Sequence, residues 1–134
     1  MMNDDDRMIA DAAAAYCKRD PEYRRVRAVR NATPSFDRAA WSEMAKMGWL
    51  GGRLSEEHGG IALSFSQIAI ILEQVGRSLA PEPLSAVGVL AAGILSGSDN
   101  EALKAEYLPR LAAGDWIPTL AWQEQGGPLA STPV

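Results

Sequence analysis

The stretch Gly48-Trp-Leu-Gly-Gly-Arg-Leu-Ser-Glu-Glu-His-Gly-Gly-Ile-Ala-Leu63, continued by Ser64-Phe-Ser-Gln-Ile-Ala-Ile-Ile-Leu-Glu-Gln-Val-Gly-Arg-Ser-Leu-Ala-Pro-Glu-Pro83, decides the fold. A glycine-punctuated loop feeds one well-marked helix. Ser64 followed three residues later by Gln67 forms a capping-box pattern, which satisfies two orphan amides where the apolar run begins. At helical spacing Phe65, Ile68, Ala69, Leu72, Val75 and Leu79 fall on one side, with Ser66, Gln67, Glu73, Gln74 and Arg77 opposite, so one face is expected to be buried. Gly76 falls on the same side, where a missing side chain lets another backbone approach. Glu73 and Arg77 form an i,i+4 pair in the favourable order, and Pro81 and Pro83 stop the helix.

Before this stretch the pattern is also helical. Ser35 is placed to cap a helix carrying Phe36, Ala40, Trp41, Met44 and Met47, which Gly48 closes as a left-handed cap. Met1 to Asp6 reads as a frayed acidic end leading into a helix that runs to about Arg19, with Met8, Ile9, Ala12, Ala13 and Tyr16 as its stripe. Asp20 and Pro21 read as the cap and first residue of a further helix with Tyr23, Val26 and Val29. Lys18, Arg19, Arg24, Arg25, Arg27 and Arg30 concentrate positive charge here, but no interleaved aromatics or recognition motif accompany them. A solvated helix surface is the expectation.

After the prolines, Leu84 to Leu95 is apolar nearly all round, which describes a helix enclosed by neighbours. Ser98 and Glu101 form another capping pattern, opening a helix with Ala102, Leu103, Tyr107 and Leu111, in which Pro109 kinks or tightens the last turn. Ala113-Gly-Asp115 closes it. Ile117 to Glu124 then changes character toward an extended strand.

The totals narrow the function classes. A chain of 134 residues with 47% hydrophobic and 22% charged content is a soluble globular domain by composition. A net charge of −4 weighs against nucleic acid or an anionic membrane as partner, and no apolar run is long enough to span a bilayer. The single cysteine, Cys17, forms no internal disulfide, and no leader-like segment is evident, so the cytoplasm is the expected location. Glu56, Glu57 and His58 are the visible candidates for chemistry. Adjacent side chains diverge, however, and no second histidine or cysteine completes a metal set, so a polar turn is the expected role.

Five pieces of this sequence, in order, resemble the N-terminal portion of the flavin-dependent acyl-CoA dehydrogenases: Met47-Gly-Trp-Leu-Gly-Gly52, Ser55-Glu-Glu-His-Gly-Gly-Ile-Ala-Leu-Ser64, Leu72 through Leu84, Lys104-Ala-Glu-Tyr-Leu-Pro-Arg-Leu-Ala-Ala-Gly114, and Leu120-Ala-Trp-Gln-Glu124. The resemblance covers about Ala10 to Glu124. It implies a mainly α fold of about six helices over residues 1–116, followed at 117–134 by one C-terminal β strand and a loop of an incomplete middle β domain.

The resemblance also implies a chemistry. Family members oxidise the Cα–Cβ bond of an acyl-CoA, a glutamate base taking the α proton while a hydride passes to FAD. Leu120 and Trp122 would stand at flavin-contacting positions, and Gln123 where a threonine is common; Gln123 still donates a hydrogen bond. Ser131 or Thr132 replaces the serine near the thioester only after a length adjustment. Val87, Leu90 and Ala91 would wall the acyl pocket. The base and most of the flavin site belong, in the family, to parts beyond the matched region. The expectation is therefore an N-terminal part of an acyl-CoA dehydrogenase-like oxidoreductase that is not catalytically complete by itself. Its FAD binding alone would be weak or absent, and an oligomer or a partner chain would supply the rest. The alternative is a non-catalytic assembly subunit, or a remnant, that binds a partner chain.

Overall fold

Helix starts follow the side-chain acceptors placed ahead of each apolar run. The computed structural model describes residues 3–20 and 22–121, and every regular element among them is helical: α1 (Asp4–Cys17), α2 (Arg24–Val29), α3 (Arg38–Lys46), a short 3-10 turn (Glu56–His58), α4 (Phe65–Arg77), a π-helix (Ser85–Ala91), α5 (Ala92–Ser96) and α6 (Glu101–Ala112). The mainly α class is as the sequence led us to expect.

Ser64 and Gln67 form the expected reciprocal cap: the Gln67 amide donates to Ser64 Oγ at 3.2 Å and the Ser64 amide to Gln67 Oε1 at 2.9 Å. A second capping box opens α1, where Asn3 and Asp6 exchange the same bonds, so helix begins at Asp4 rather than fraying through Asp6.

Two other starts lie a step beyond the predicted cap. Asp37, not Ser35, caps α3, its Oδ1 accepting from the amides of Ala39 (2.8 Å) and Ala40 (3.4 Å). Phe36 is thereby left just outside the helix. Its ring meets Trp41 edge-on at 6.1 Å, which staples the entering chain to the first turn. Asn100, not Ser98, caps α6 by accepting the Leu103 amide at 3.1 Å, while Ser98 Oγ accepts the Asn100 amide. In both cases an acceptor nearer the run is better placed than the serine two residues earlier.

Tyr23, not Asp20, is the cap residue of α2, but the Asp20 carboxylate accepts from the amides of Arg24 and Arg25 at 2.9 and 3.0 Å. The helix starts only at Arg24 because Tyr23 takes a left-handed conformation, φ 54°, that interrupts it; Pro21 lies outside the described residues.

Helix ends are closed by paired backbone bonds around a left-handed residue. After α3, Gly48 donates to the Ala45 carbonyl and Trp49 to that of Met44. Gly114 and Asp115 close α6 in the same way on Leu111 and Arg110. At the end of α4 the left-handed position is filled by Leu79, φ 52°.

The core lies where α1 packs along α4, beneath the loop after α3. Met44, Leu50, Ile68, Ile71, Leu84 and Leu108 are each at most 1% exposed. Each such side chain contributes roughly 1.5–3 kcal/mol by leaving water. The buried line of α4 is Ile68, Ile71 and Val75, with Leu72 partly buried. Phe65 (65% exposed) and Leu79 (57%) are outside it, and a Cβ added at Gly76 would meet nothing within 4 Å, which corrects the wider buried face expected from periodicity. Phe65 sits on the first turn, where the Arg53 guanidinium lies over its ring.

The segment Leu84 to Leu95 is likewise not one enclosed α-helix. It winds as the π-helix and then α5, with Val87, Gly88 and Ala92 inward and Leu90 and Ile94 about half exposed. Ile117 to Ala121 forms no strand, and the rest of the expected strand lies outside the described residues.

Candidate functional site

The π-helix brings the chain close to the loop after α3. A Cβ on Gly88 would stand 3.0 Å from the Leu50 carbonyl oxygen, so this crossing requires glycine. Continuing into α5, the winding turns Ala91, Ile94 and Leu95 toward the segment that follows α6. That segment is fixed by the Gly114 cap and by the Trp116 amide, which donates to the Arg110 carbonyl at 3.2 Å. The Trp116 ring also stacks on Tyr107 with centroids 4.8 Å apart.

Between these walls lies a groove of about 260 Å³, lined by Ala91, Ile94, Leu95, Ser98, Trp116, Pro118, Thr119 and Leu120. Its walls are apolar save for the hydroxyls of Ser98 and Thr119, and no titratable side chain lines it. Such a surface binds and orients an apolar chain or a flat ring; it does not move protons.

The sequence-derived candidates divide sharply. Ala91 and Leu120, far apart in sequence, meet in this groove. Leu90 is 48% exposed and does not line the groove, and Val87 is 1% exposed in the core. Trp122, Gln123 and Ser131 lie outside the described residues. Ile94 and Trp116 line the groove without having been singled out. The signal available for Ile94 was its place one turn beyond Ala91, and Trp116 was marked by the Gly-Asp-Trp sequence after α6.

Glu56, Glu57 and His58 form a 3-10 turn closed by left-handed Gly59, with Ser55 Oγ donating to Glu57 Oε1 at 3.1 Å. That is the polar turn expected of them. Among the described residues no group of three or more His, Cys, Asp or Glu is placed to hold a metal ion.

One charged cluster escaped the sequence reading. Glu82, between the two prolines, has a fully buried side chain. Its Oε1 accepts the Asp37 amide at 3.3 Å, and its Oε2 stands 3.3 Å from Arg25 Nη2 without a hydrogen bond. Arg25 Nη1 donates to the Tyr16 hydroxyl, which in turn donates to the Ala40 carbonyl, each at 3.3 Å. Burial pushes the Glu82 carboxyl above its ordinary value despite the opposing pull of Arg25. Burial raises the Tyr16 phenol too, again against Arg25. For Arg25 burial acts downward, but the Tyr16 hydrogen bond and the Glu82 charge outweigh it and the guanidinium is raised. Arg25 is therefore the exception in a basic stretch otherwise read as solvated surface.

Comparison with known proteins decides what these features belong to. The family described as "Acyl-CoA dehydrogenase, N-terminal domain" matches residues 3–115. This chain belongs to the acyl-CoA dehydrogenase family. The mitochondrial isovaleryl-CoA dehydrogenase of Pongo abelii is 32% identical over 89 residues, 65% of this chain and 21% of that protein. The (2S)-methylsuccinyl-CoA dehydrogenase of Cereibacter sphaeroides is 32% identical over 82 residues, 60% of this chain and 15% of the relative. Among solved structures, a variant of the Tcur3481-Tcur3483 steroid ACAD superposes with a TM-score of 0.80 at 28% identity, covering 91% of this chain and 33% of that one.

The acyl-CoA dehydrogenase N-terminal domain thus accounts for the whole helical fold, and the chain spans about a fifth of the length of the isovaleryl-CoA dehydrogenase it matches. Within this domain, among the described residues, no helix is long and apolar enough to cross a membrane.

Proposed function

We propose that this domain is the N-terminal helical part of an FAD-dependent acyl-CoA dehydrogenase, an oxidoreductase that desaturates the α,β bond of an acyl-CoA thioester. The observation that carries this reading is the groove in which Ala91, assigned to the acyl wall by family resemblance, meets Leu120, assigned to the flavin. The exposed faces of Thr119 and Leu120 and the apolar wall of Trp116 suit one side of a flat heteroaromatic ring. When bound, FAD supplies the hydride acceptor.

The chain's own residues hold and orient. Ala91, Ile94 and Leu95 exclude water from one flank of the groove, and Trp116 braces the other through Tyr107. Because no titratable group lines the groove, the proton is taken by a base from outside it. One flank alone holds a flavin poorly, so the chain by itself retains little or no FAD and does not complete the reaction. Val87, in the core, and Leu90, outside the groove, remain proposed acyl contacts, and Trp122, Gln123 and Ser131 the proposed flavin and thioester contacts.

The rim also favours a second reading. Ile94 and Leu120 line the groove at 52% and 40% exposed, and Leu90 outside it is 48% exposed, as suits a surface that another domain or chain covers. On that reading the domain is a non-catalytic assembly subunit in a cytoplasmic oligomer.

The test is to purify the protein that carries this domain together with any chain that co-purifies, load it with FAD, and add branched, fatty and steroid-like acyl-CoA thioesters anaerobically. Bleaching of the oxidised flavin by one class supports the dehydrogenase. Bleaching that persists when this chain is left out assigns it to assembly alone. No bleaching by any thioester overturns the dehydrogenase reading.

A further inference from the structure

The second helix is attached to the domain in an unusual way. None of the six residues of α2 is fully buried, with Arg25, Val26 and Val29 half-buried, whereas α1, α3, α4 and α6 each contribute buried side chains to the core. With Val26 and Val29 only half-buried, α2 draws little hydrophobic stabilisation, and six residues are too few to be helical on their own account. What holds α2 down is polar. Asp20 accepts its first two amides, and Arg25 reaches inward to Glu82 and to the Tyr16 hydroxyl.

That anchor is incomplete. Arg25 Nε and Glu82 Oε2 are both buried without a hydrogen-bond partner. A buried ion pair with unsatisfied atoms gains little over its desolvation cost. Of the other charged groups nearby, Asp20 favours the charged Arg25, Arg19 is engaged with Glu43 at 3.5 Å, Arg24 with Glu22 at 2.7 Å, and Asp37 adds negative charge beside Glu82. The chain entering α2 is strained as well, because Tyr23 is left-handed without being glycine. Against α2 lies a groove of about 470 Å³, lined among others by Tyr16, Cys17, Arg25, Val29 and Asp37.

We propose that α2 is a lid, anchored by Arg25, that opens over this groove as a unit while the rest of the domain stays folded. Opening uncovers Tyr16 and the Glu82 carboxylate and widens the groove to solvent. On the Glu82 side of the anchor, burial raises the carboxyl because the pull of Arg25 does not offset its desolvation.

The proposal is tested by hydrogen exchange of the full chain, followed residue by residue in a series of sub-denaturing urea concentrations. Amides of Arg27 to Val29 are expected to exchange about a hundredfold faster than those of Ile71 and Leu72, through an opening that urea does not accelerate. Arg25→Met should raise that opening roughly tenfold further and leave the α4 amides unchanged. If α2 and α4 exchange together with the same urea dependence, α2 is no separate unit and the idea is overturned. It is equally overturned if Arg25→Met folds and leaves α2 exchange as it was. Should Arg25→Met not fold, the wild-type urea series decides by itself.

Discussion

The Trp41 indole donates from Nε1 to the Gly114 carbonyl at 3.1 Å, joining the middle of α3 to the closing turn of α6. Gly114 is left-handed, φ 80°, and a Cβ there would stand 3.1 Å from Leu50 Cδ1, 3.2 Å from Ala45 Cβ and 3.2 Å from Trp41 Nε1. One residue thus closes a helix, accepts a buried donor and admits three neighbours.

Gly114→Ala is therefore expected to cost about 2 kcal/mol, from left-handed strain and crowding together. Trp41→Phe should cost a similar ~2 kcal/mol by leaving the Gly114 carbonyl without its partner and opening a small void. Urea unfolding followed by far-UV circular dichroism checks both. A change below a few tenths of a kcal/mol in either variant would contradict the role assigned to this contact.

Leu79 makes the opposite prediction. It occupies the left-handed cap after α4 with its side chain 57% exposed, so little packing is at stake. Leu79→Gly removes the conformational cost while loosening the unfolded chain, and a net gain of about 0.5 kcal/mol is expected. Thermal melts of the two proteins provide the comparison; a lower melting temperature for the variant would refute it.

Glu82 sets an unusual pH dependence. Its folded pKa is raised above the ordinary 4.5, chiefly by burial, so over the interval between the two values the native state keeps a proton that the unfolded state has lost. In that window the unfolded state binds fewer protons, and the Glu82 contribution to stability falls as pH rises, the reverse of a carboxylate held down by a salt bridge. The difference in stability between wild type and Glu82→Gln, measured in urea from pH 4 to pH 8, should shift against the wild type as pH rises and then level off. A shift in favour of the wild type would mean that Arg25 outweighs burial.

Gly88 tests how the groove wall is placed. Adding one methyl group 3.0 Å from the Leu50 carbonyl forces the π-helix away from the loop, so Gly88→Ala should cost about 1–3 kcal/mol. In the flavin-loaded assembly, Ala91→Trp fills the groove without touching that crossing, and it is expected to raise KM for the acyl-CoA about tenfold with little loss of fold stability. Unchanged kinetics for Ala91→Trp would remove the groove from the substrate path.

Much of this protein was legible in the order of its residues. The helical class, the Ser64–Gln67 cap, the left-handed Gly48 and the closing Ala113-Gly-Asp115 turn all follow from local rules. Caps, spacings and turn glycines act within a few residues, and sequence shows those few residues together. The family resemblance was legible for the same reason, since it rests on short ordered pieces.

What only the tertiary structure decided depends on which surfaces meet. Phe65 and Leu79 fall on the apolar side that periodicity predicts, yet both are exposed, Phe65 on the first turn of α4 and Leu79 in the left-handed position after its end. Leu84 to Leu95 reads as an enclosed helix by composition, but it leaves Leu90 and Ile94 at the surface and winds as a π-helix through Ala91. The meeting of Ala91 with Leu120, and the reach of Arg25 to Glu82 across elements distant in the chain, carry no periodicity or motif. A long-range contact is the joint result of every packing choice between its partners, and no local stretch contains it.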